Sequence, residues 1–180
     1  MSPSTSAIIS VFSLGLAALS GVVAQDTLPY NFTLAALNVT EPNANSTGAP
    51  LVLATSGALP GLRSYVTATY ASAGFTGWSE LGLEGGVLNA YYQDELNVAN
   101  ATIIESGSWM AYVTGDVDVS GEQYSVVESE GAEYGKLAVN GDADSWSLCP
   151  HSFGQPKMAV MYEATERFCY AVTLQVVPLE

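Results

Sequence analysis

The chain has 180 residues, of which 18 are acidic and 4 are basic, and its formal net charge at neutral pH is −14. A field of this sign repels nucleic-acid phosphates and anionic membrane surfaces, so the composition predicts no nucleic-acid partner and no membrane partner. All the charged residues follow residue 24, and the length that remains suits a single domain with an adequate core.

The chain begins with an apolar run over residues 7–19, which ends in small residues at 21–24. This run is shorter than the roughly 20 apolar residues of a membrane span. An apolar run followed by small residues is typical of a secretory signal peptide. We therefore predict a signal peptide over residues 1–24 and one extracellular domain over residues 25–180. A buried core helix is the alternative, because residues 1–24 contain no Lys or Arg.

Four glycosylation sequons follow the predicted signal peptide. They begin at Asn31, Asn38, Asn45 and Asn100. Each triplet is common, but four of them in a secreted chain predict surface glycans on at least some. A glycan is bulky and hydrated, so residues 41–48 are predicted to form an exposed loop.

The hydrophobic pattern after residue 24 has a period close to two and is rich in β-branched and aromatic residues. No segment there shows a helical period. The pattern predicts strands over residues 51–54, 65–70, 87–92, 109–113, 123–128, 136–139, 146–148, 158–162 and 170–177. The pair Asn140-Gly141 is a strong hairpin signal. The chain is thus predicted to be all-β, either a compact β-barrel or a β-sandwich.

A weak internal repeat bears on the choice of architecture. Segments 81–88 and 137–141 share the order strand, turn, strand, and segment 32–37 could open a third, earlier unit. Three units of about 50 residues would suit a β-trefoil-like barrel. Any β-protein repeats strand, turn and strand, so chance recurrence stays open as the simpler interpretation.

Aromatic side chains suggest a sugar-binding surface. The candidates for stacking on sugar rings are Trp78, Tyr91, Tyr92, Trp109 and Trp146. Tyr91 and Tyr92 are adjacent on a predicted strand and must face opposite sides of it. The alternative is that most of these residues form the core and cross-strand pairs.

The sequence offers no persuasive catalytic group. His151 is the only histidine, and it follows Cys149-Pro150 in a predicted loop, where a solvated histidine is the simpler interpretation. A glycosidase pair could be drawn from Glu80, Glu84, Asp94, Glu95, Glu128, Glu130 and Glu133, but nothing in the sequence selects two of them. We predict no catalytic residues and no cofactor.

One segment resembles half of a calcium loop. Asp116, Asp118 and Ser120 alternate before Gly121, but Val127 stands where a closing carboxylate should be. A strand and turn explain the segment as well. Asp142 and Asp144 are a weaker pattern, best interpreted as an Asx turn. We predict no metal site.

The two cysteines, Cys149 and Cys169, lie on predicted strands near the C-terminus. In a secreted chain they are expected to pair, closing a loop worth about 3 kcal/mol. Free thiols and metal ligands are the alternatives, although two cysteines and one histidine do not complete a zinc site without carboxylates.

The last third of the chain resembles the C-terminal region of fungal cell-wall proteins of the PhiA type and of the Pir type, which carry internal repeats. The resemblance lies in Gly135-x-Leu137-x-Val139-x-Gly141, in Leu148-Cys149-Pro150 and in 169–174, which reads Cys-Tyr-Ala-Val-Thr-Leu. Segments 32–37 and 81–88 follow the order of similar strands in PhiA-like chains. The Gln-containing repeats through which Pir proteins are thought to be linked to wall glucan are absent.

The resemblance implies a secreted, glycosylated β-domain of the cell wall or extracellular space, with no established catalysis. We therefore expect a non-enzymatic structural protein whose partners are wall polysaccharides or glycoproteins. A carbohydrate-binding module is the first alternative and a small secreted hydrolase the second.

Overall fold

The computed structural model describes residues 24–78, 80–93, 97–115, 121–129, 131–152 and 156–179. Strands dominate these ranges, and the one helix among them has four residues. The all-β prediction is confirmed. The predicted signal peptide lies almost entirely outside the described residues. No helix among the described residues has the length and apolar character needed to cross a membrane.

The strands follow one another in antiparallel pairs. Their bounds are β1 (Ala24–Gln25), β2 (Phe32–Asn38), β3 (Ala49–Leu59), β4 (Leu62–Thr69), β5 (Glu80–Glu84), β6 (Val87–Tyr91), β7 (Val98–Ala101), β8 (Ala111–Thr114), β9 (Tyr124–Val127), β10 (Gly135–Val139), β11 (Trp146–His151), β12 (Lys157–Tyr162) and β13 (Tyr170–Pro178), with helix α1 (Tyr70–Ala73) after β4. All nine predicted strands overlap observed ones. The nine ranges do not include β1, β2, β5 and β7, although the repeat segments 32–37 and 81–88 contain most of β2 and β5. β1 has two residues, and β5 and β7 are short and contain Gly or small residues that weaken the period-two pattern.

Six of the described strands close into a ring. β2 pairs with β13 along seven residue pairs, β13 with β10, β10 with β9, β5 with β6, and β2 with β5 at Phe32 and Leu81. The ring closes between β6 and β9, where the Tyr124 N–H donates to the Gly86 carbonyl at 3.0 Å. A Cβ at Gly86 would lie 2.9 Å from the backbone of Glu122, so only glycine permits this approach.

Six further strands form three hairpins that also meet in a ring, and β1 pairs with β9 at its edge. The hairpins are β3–β4, β7–β8 and β11–β12. β4 pairs with both β8 and β12, and a bridge between Trp109 and Met161 joins the second hairpin to the third. Each unit of four strands thus supplies two ring strands and one hairpin. Three such units, β2–β5, β6–β9 and β10–β13, make the connectivity of a β-trefoil.

The sequence repeat therefore has the right number of units but the wrong register. Segment 81–88 covers the fourth strand of the first unit and the start of the second unit. Segment 137–141 covers the end of the first strand of the third unit. The similarity between these two segments joins strands that are not equivalent in the fold, because many strands in this chain share the same alternation of apolar residues.

The ring encloses a continuous apolar core to which each unit contributes. Phe32, Leu88 and Leu137 lie on the first strands of the three units and are fully buried. Burying a side chain of this size contributes about 2 kcal/mol. All three belong to one cluster of buried residues that spans the units. The three units therefore fold around a single core.

The predicted cysteine pairing is confirmed. Cys149 on β11 is bonded to Cys169, which directly precedes β13, across 20 residues of sequence. Cys149 is fully buried, and the described part of the chain contains no free cysteine. The bond ties the hairpin of the third unit to the segment that leads into its fourth strand. Disulfides persist in oxidising compartments, and this one is compatible with a secreted protein.

Candidate ligand-binding cleft

The five aromatic residues predicted to bind sugar do not form a row. Trp146 is fully buried, its indole N–H donates to the Leu137 carbonyl at 2.9 Å, and its ring packs edge-on against Tyr162. No face of this ring is open to a ligand. The prediction is therefore wrong for Trp146, because the alternation of β11 turns this side chain into the core.

Trp109 lies in a different environment, just before β8. Its ring meets the imidazole of His151 edge-to-face, with centroids 4.6 Å apart and planes at 90°. Burial lowers the pKa of His151, and the nearby charge of Lys157 lowers it further. The lowered pKa favours the neutral imidazole, whose ring packs against Trp109.

Tyr91 lines a groove of about 430 Å³ together with Tyr30, Asn31 and Glu84. Its ring crosses over Gly82, where a Cβ would lie 3.0 Å from the ring. Burial raises the pKa of Tyr91, and Glu84 and then Glu80 raise it further. This tyrosine is therefore separate from Trp78 and Tyr92.

Trp78 and Tyr92 come together in a cleft of about 620 Å³, which we call the aromatic cleft. It is lined by Leu53, Thr55, Arg63, Tyr65, Phe75, Thr76, Trp78, Tyr92, Asn97 and Thr114. The Trp78 ring is packed between Tyr65 and Tyr92, with centroid distances of 5.1 and 5.2 Å. Trp78 is only 5% exposed and forms part of the floor, whereas Tyr92 is 36% and Phe75 66% exposed. Phe75 and Tyr92 are therefore the rings that a ligand can reach.

The backbone between α1 and β5 places Phe75 in the cleft. Helix α1 ends at Ala73 and is capped by Gly74, whose φ is 72° and whose N–H donates to the Tyr70 carbonyl at 2.8 Å. Gly77 also has a positive φ, and a Cβ there would lie 2.5 Å from the Tyr92 ring. Two glycines thus turn the chain around Phe75 and admit the Tyr92 ring beside it. Arg63, Tyr65 and Phe75 were not predicted as site residues, because no sequence pattern shows that their segments meet Tyr92 and Thr114 in space.

Polar groups surround the aromatic rings of the cleft. They are Thr55 and Arg63 from the first hairpin, Thr76, Asn97 and Thr114. Hydroxyl, amide and guanidinium groups can bond the hydroxyls of a sugar while an aromatic ring covers its apolar face. The aromatic cleft thus combines the two kinds of contact that a carbohydrate needs.

Four of the seven candidate catalytic carboxylates lie in the described residues. Glu80 accepts a hydrogen bond from Asn31 at 2.6 Å, and Glu128 accepts one from Gln25 at 3.2 Å. Glu80 and Glu84 share a face of β5, with their Cα atoms about 13 Å apart, and both carboxylates raise the pKa of Tyr91. Asp94, Glu95 and Glu130 lie outside the described residues.

The predicted calcium half-loop, with Asp116, Asp118 and Ser120, also lies outside the described residues. Among the residues that are described, no three His, Cys, Asp or Glu side chains are grouped so that they could hold a metal ion. Asp142 forms the predicted Asx turn, since its Oδ1 accepts a hydrogen bond from the Asp144 N–H at 2.9 Å. The Tyr162 hydroxyl donates to its Oδ2 at 3.0 Å.

The four sequon asparagines occupy different environments. Asn31 and Asn45 are exposed, whereas Asn38 and Asn100 are half-buried. The Asn31 amide group donates to Glu80, and Asn100 lies within β7, paired with strands on both sides. The loop that carries Asn45 is exposed over residues 41–46, as predicted. Glycosylation at all four positions stays a prediction.

Comparison with known proteins gives no relative for this chain: no family model matches it, and neither a curated protein nor a solved structure matches it significantly.

Proposed function

We propose that this protein is a secreted, N-glycosylated and non-enzymatic domain of the extracellular space or cell wall, and that it binds carbohydrate in the aromatic cleft. The observation that carries the proposal is the pairing of reachable rings, Phe75 and Tyr92, with polar groups in one cleft. The predicted signal peptide, the sequons and the resemblance to fungal wall proteins support the location. A purely structural role in the wall is the alternative.

The aromatic cleft favours binding over catalysis. None of its described lining residues is a carboxylate, whereas glycoside hydrolysis generally requires two. Sugar recognition requires only rings and hydrogen-bonding groups, and stacking on a ring contributes roughly 1 kcal/mol beyond the area that it buries. We therefore do not propose the hydrolase that the sequence left open.

The test is retention of the purified mature protein on insoluble chitin, β-glucan and cellulose. We expect retention on one polymer, reduced about tenfold by Phe75→Ala or Tyr92→Ala, since each removes a reachable ring. Phe168→Ala is the matched control, because Phe168 is 86% exposed in the corresponding segment of the third unit, before β13. Enzymatic removal of N-glycans from protein collected in the medium tests secretion and glycosylation together.

Two results would contradict the carbohydrate proposal. Retention on none of the polymers would favour the structural role. Retention that survives both cleft substitutions, or that Phe168→Ala abolishes, would move the binding surface away from the aromatic cleft.

A further inference from the structure

The charge of the aromatic cleft differs from that of the chain as a whole. The sequence has 18 acidic and 4 basic residues, yet the described residues that line the cleft include Arg63 and no carboxylate. In a chain so rich in acidic residues, a lining of this kind offers a local site for negative charge.

The backbone of Arg63 is fixed within the sheet, whereas its side chain makes no ion pair with a described residue. Its backbone lies on β4 between two partners, Ala58 on β3 and Thr114 on β8. Lys136 pairs with Asp144 at 3.4 Å, and Lys157 donates to the Thr55 carbonyl at 2.7 Å. The Arg63 side chain is exposed and makes no ion pair with any described residue. Its guanidinium therefore lies at the cleft with no charged partner among the described residues.

We infer that the carbohydrate bound in the aromatic cleft is an acidic one, in which the carboxylate of a uronic acid pairs with Arg63 while the sugar ring lies against Phe75 and Tyr92. This inference rests on the proposed function and specifies its ligand. The two oxygens of a carboxylate match the planar fork of a guanidinium and can accept two parallel hydrogen bonds.

The overall charge of the protein limits how acidic that ligand can be. One guanidinium neutralises one negative charge, whereas the net charge of −14 repels any further ones. The cleft is therefore expected to select a saccharide with a single uronic acid beside neutral sugars over a fully acidic chain.

The experiment compares three matched disaccharides by NMR titration: cellobiose, cellobiouronic acid (glucuronic acid linked to glucose), and its methyl ester, which keeps the ring but removes the charge. We expect the wild-type protein to bind the acid about fivefold more tightly than the other two, a difference at the upper end for an exposed ion pair. Digalacturonic acid, with two carboxylates, is expected to bind more weakly than cellobiouronic acid.

Two arginine variants test whether Arg63 causes the preference for the acidic disaccharide. Arg63→Gln should reduce the fivefold preference to none, because the preference is the ratio of the affinities for the acid and for cellobiose, and any hydrogen bond common to both ligands cancels from it. Arg167→Gln alters the net charge by the same amount at an exposed residue outside the cleft lining, and it should keep the preference. Circular dichroism and thermal unfolding of both variants check that they are folded.

The outcomes separate the inference from the proposed function. Equal binding of the three matched disaccharides by the wild-type protein would overturn the inference and leave the carbohydrate proposal standing. A preference that survives Arg63→Gln would overturn the role of Arg63. Failure to bind any disaccharide, together with no retention on the polymers, would remove both proposals.

Discussion

The first and third units fix corresponding segments, the one before β5 and the one before β13, by different kinds of contact. In the third unit, the segment before β13 is bonded to the hairpin through Cys149 and Cys169. In the first unit, the segment before β5 is held by a hydrogen bond of 3.3 Å from the Leu53 N–H to the Trp78 carbonyl, and by the packing of the Trp78 ring. A covalent bond needs no aromatic ring, whereas the tie in the first unit also forms the floor of the aromatic cleft.

The second unit fixes the corresponding segment, the one before β9, by side-chain hydrogen bonds. The side-chain amide of Gln123, directly before β9, accepts a hydrogen bond from the Ile104 N–H at 2.9 Å and donates one to the Ile104 carbonyl at 3.5 Å. Each unit therefore fixes this segment to its hairpin, but by a different kind of contact.

The largest expected effect compares the buried tryptophans of the two units. Trp146→Ala should lower the free energy of unfolding by about 4 kcal/mol, because it leaves a cavity in the core and an unpaired Leu137 carbonyl. Trp78→Ala should cost about 3 kcal/mol and should also abolish carbohydrate binding. Urea unfolding measures the first quantity, and polymer retention of the folded variants measures the second.

The comparison would fail if the two tryptophans behaved alike in both assays. Folded Trp146→Ala protein should still bind carbohydrate, since this ring lies in the core and does not line the cleft. Loss of binding in that variant would mean that the cleft depends on the third unit.

Removing the covalent tie should have the next largest effect. The double substitution Cys149→Ala and Cys169→Ala should lower the free energy of unfolding by about 3 kcal/mol, because a closed loop of about 20 residues restricts the unfolded chain. Urea unfolding of the wild-type protein in a reducing buffer should give the same loss. A loss below about 1 kcal/mol would indicate that core packing alone holds the segment.

The smallest effect is expected for the tie of the second unit. Gln123→Ala should lower the free energy of unfolding by about 1 kcal/mol, since it removes two hydrogen bonds to Ile104 that water partly replaces. Glu122→Ala, at the exposed neighbouring residue, is the control and should change stability by less than about 0.5 kcal/mol. Equal effects of the two substitutions in urea unfolding would show that the Gln123 amide is not a structural tie.

Much of the fold could be predicted because it depends on local patterns. Alternating apolar residues predicted nine strands, and all nine overlap observed ones. The presence of two cysteines in a chain predicted to be secreted indicated that they pair, as they do. The register of the repeat could not be predicted, since strands at different positions of a unit have the same period of two. Helix α1 was also missed, because four residues are too few to show a helical period.

The sequence by itself determined the all-β class, the disulfide and the acidity of this protein, because strand period, cysteine number and charge belong to single residues and their neighbours. Only the tertiary structure decided which aromatic rings are open to a ligand. The sequence pattern around Trp146 and Trp78 does not show which of them is accessible, yet Trp146 lies in the core and Trp78 forms the floor of a cleft. The cleft brings Arg63, Phe75 and Tyr92 together from separate segments, because β4 pairs with β8, β5 pairs with β6, and the Leu53 N–H of β3 bonds the segment before β5.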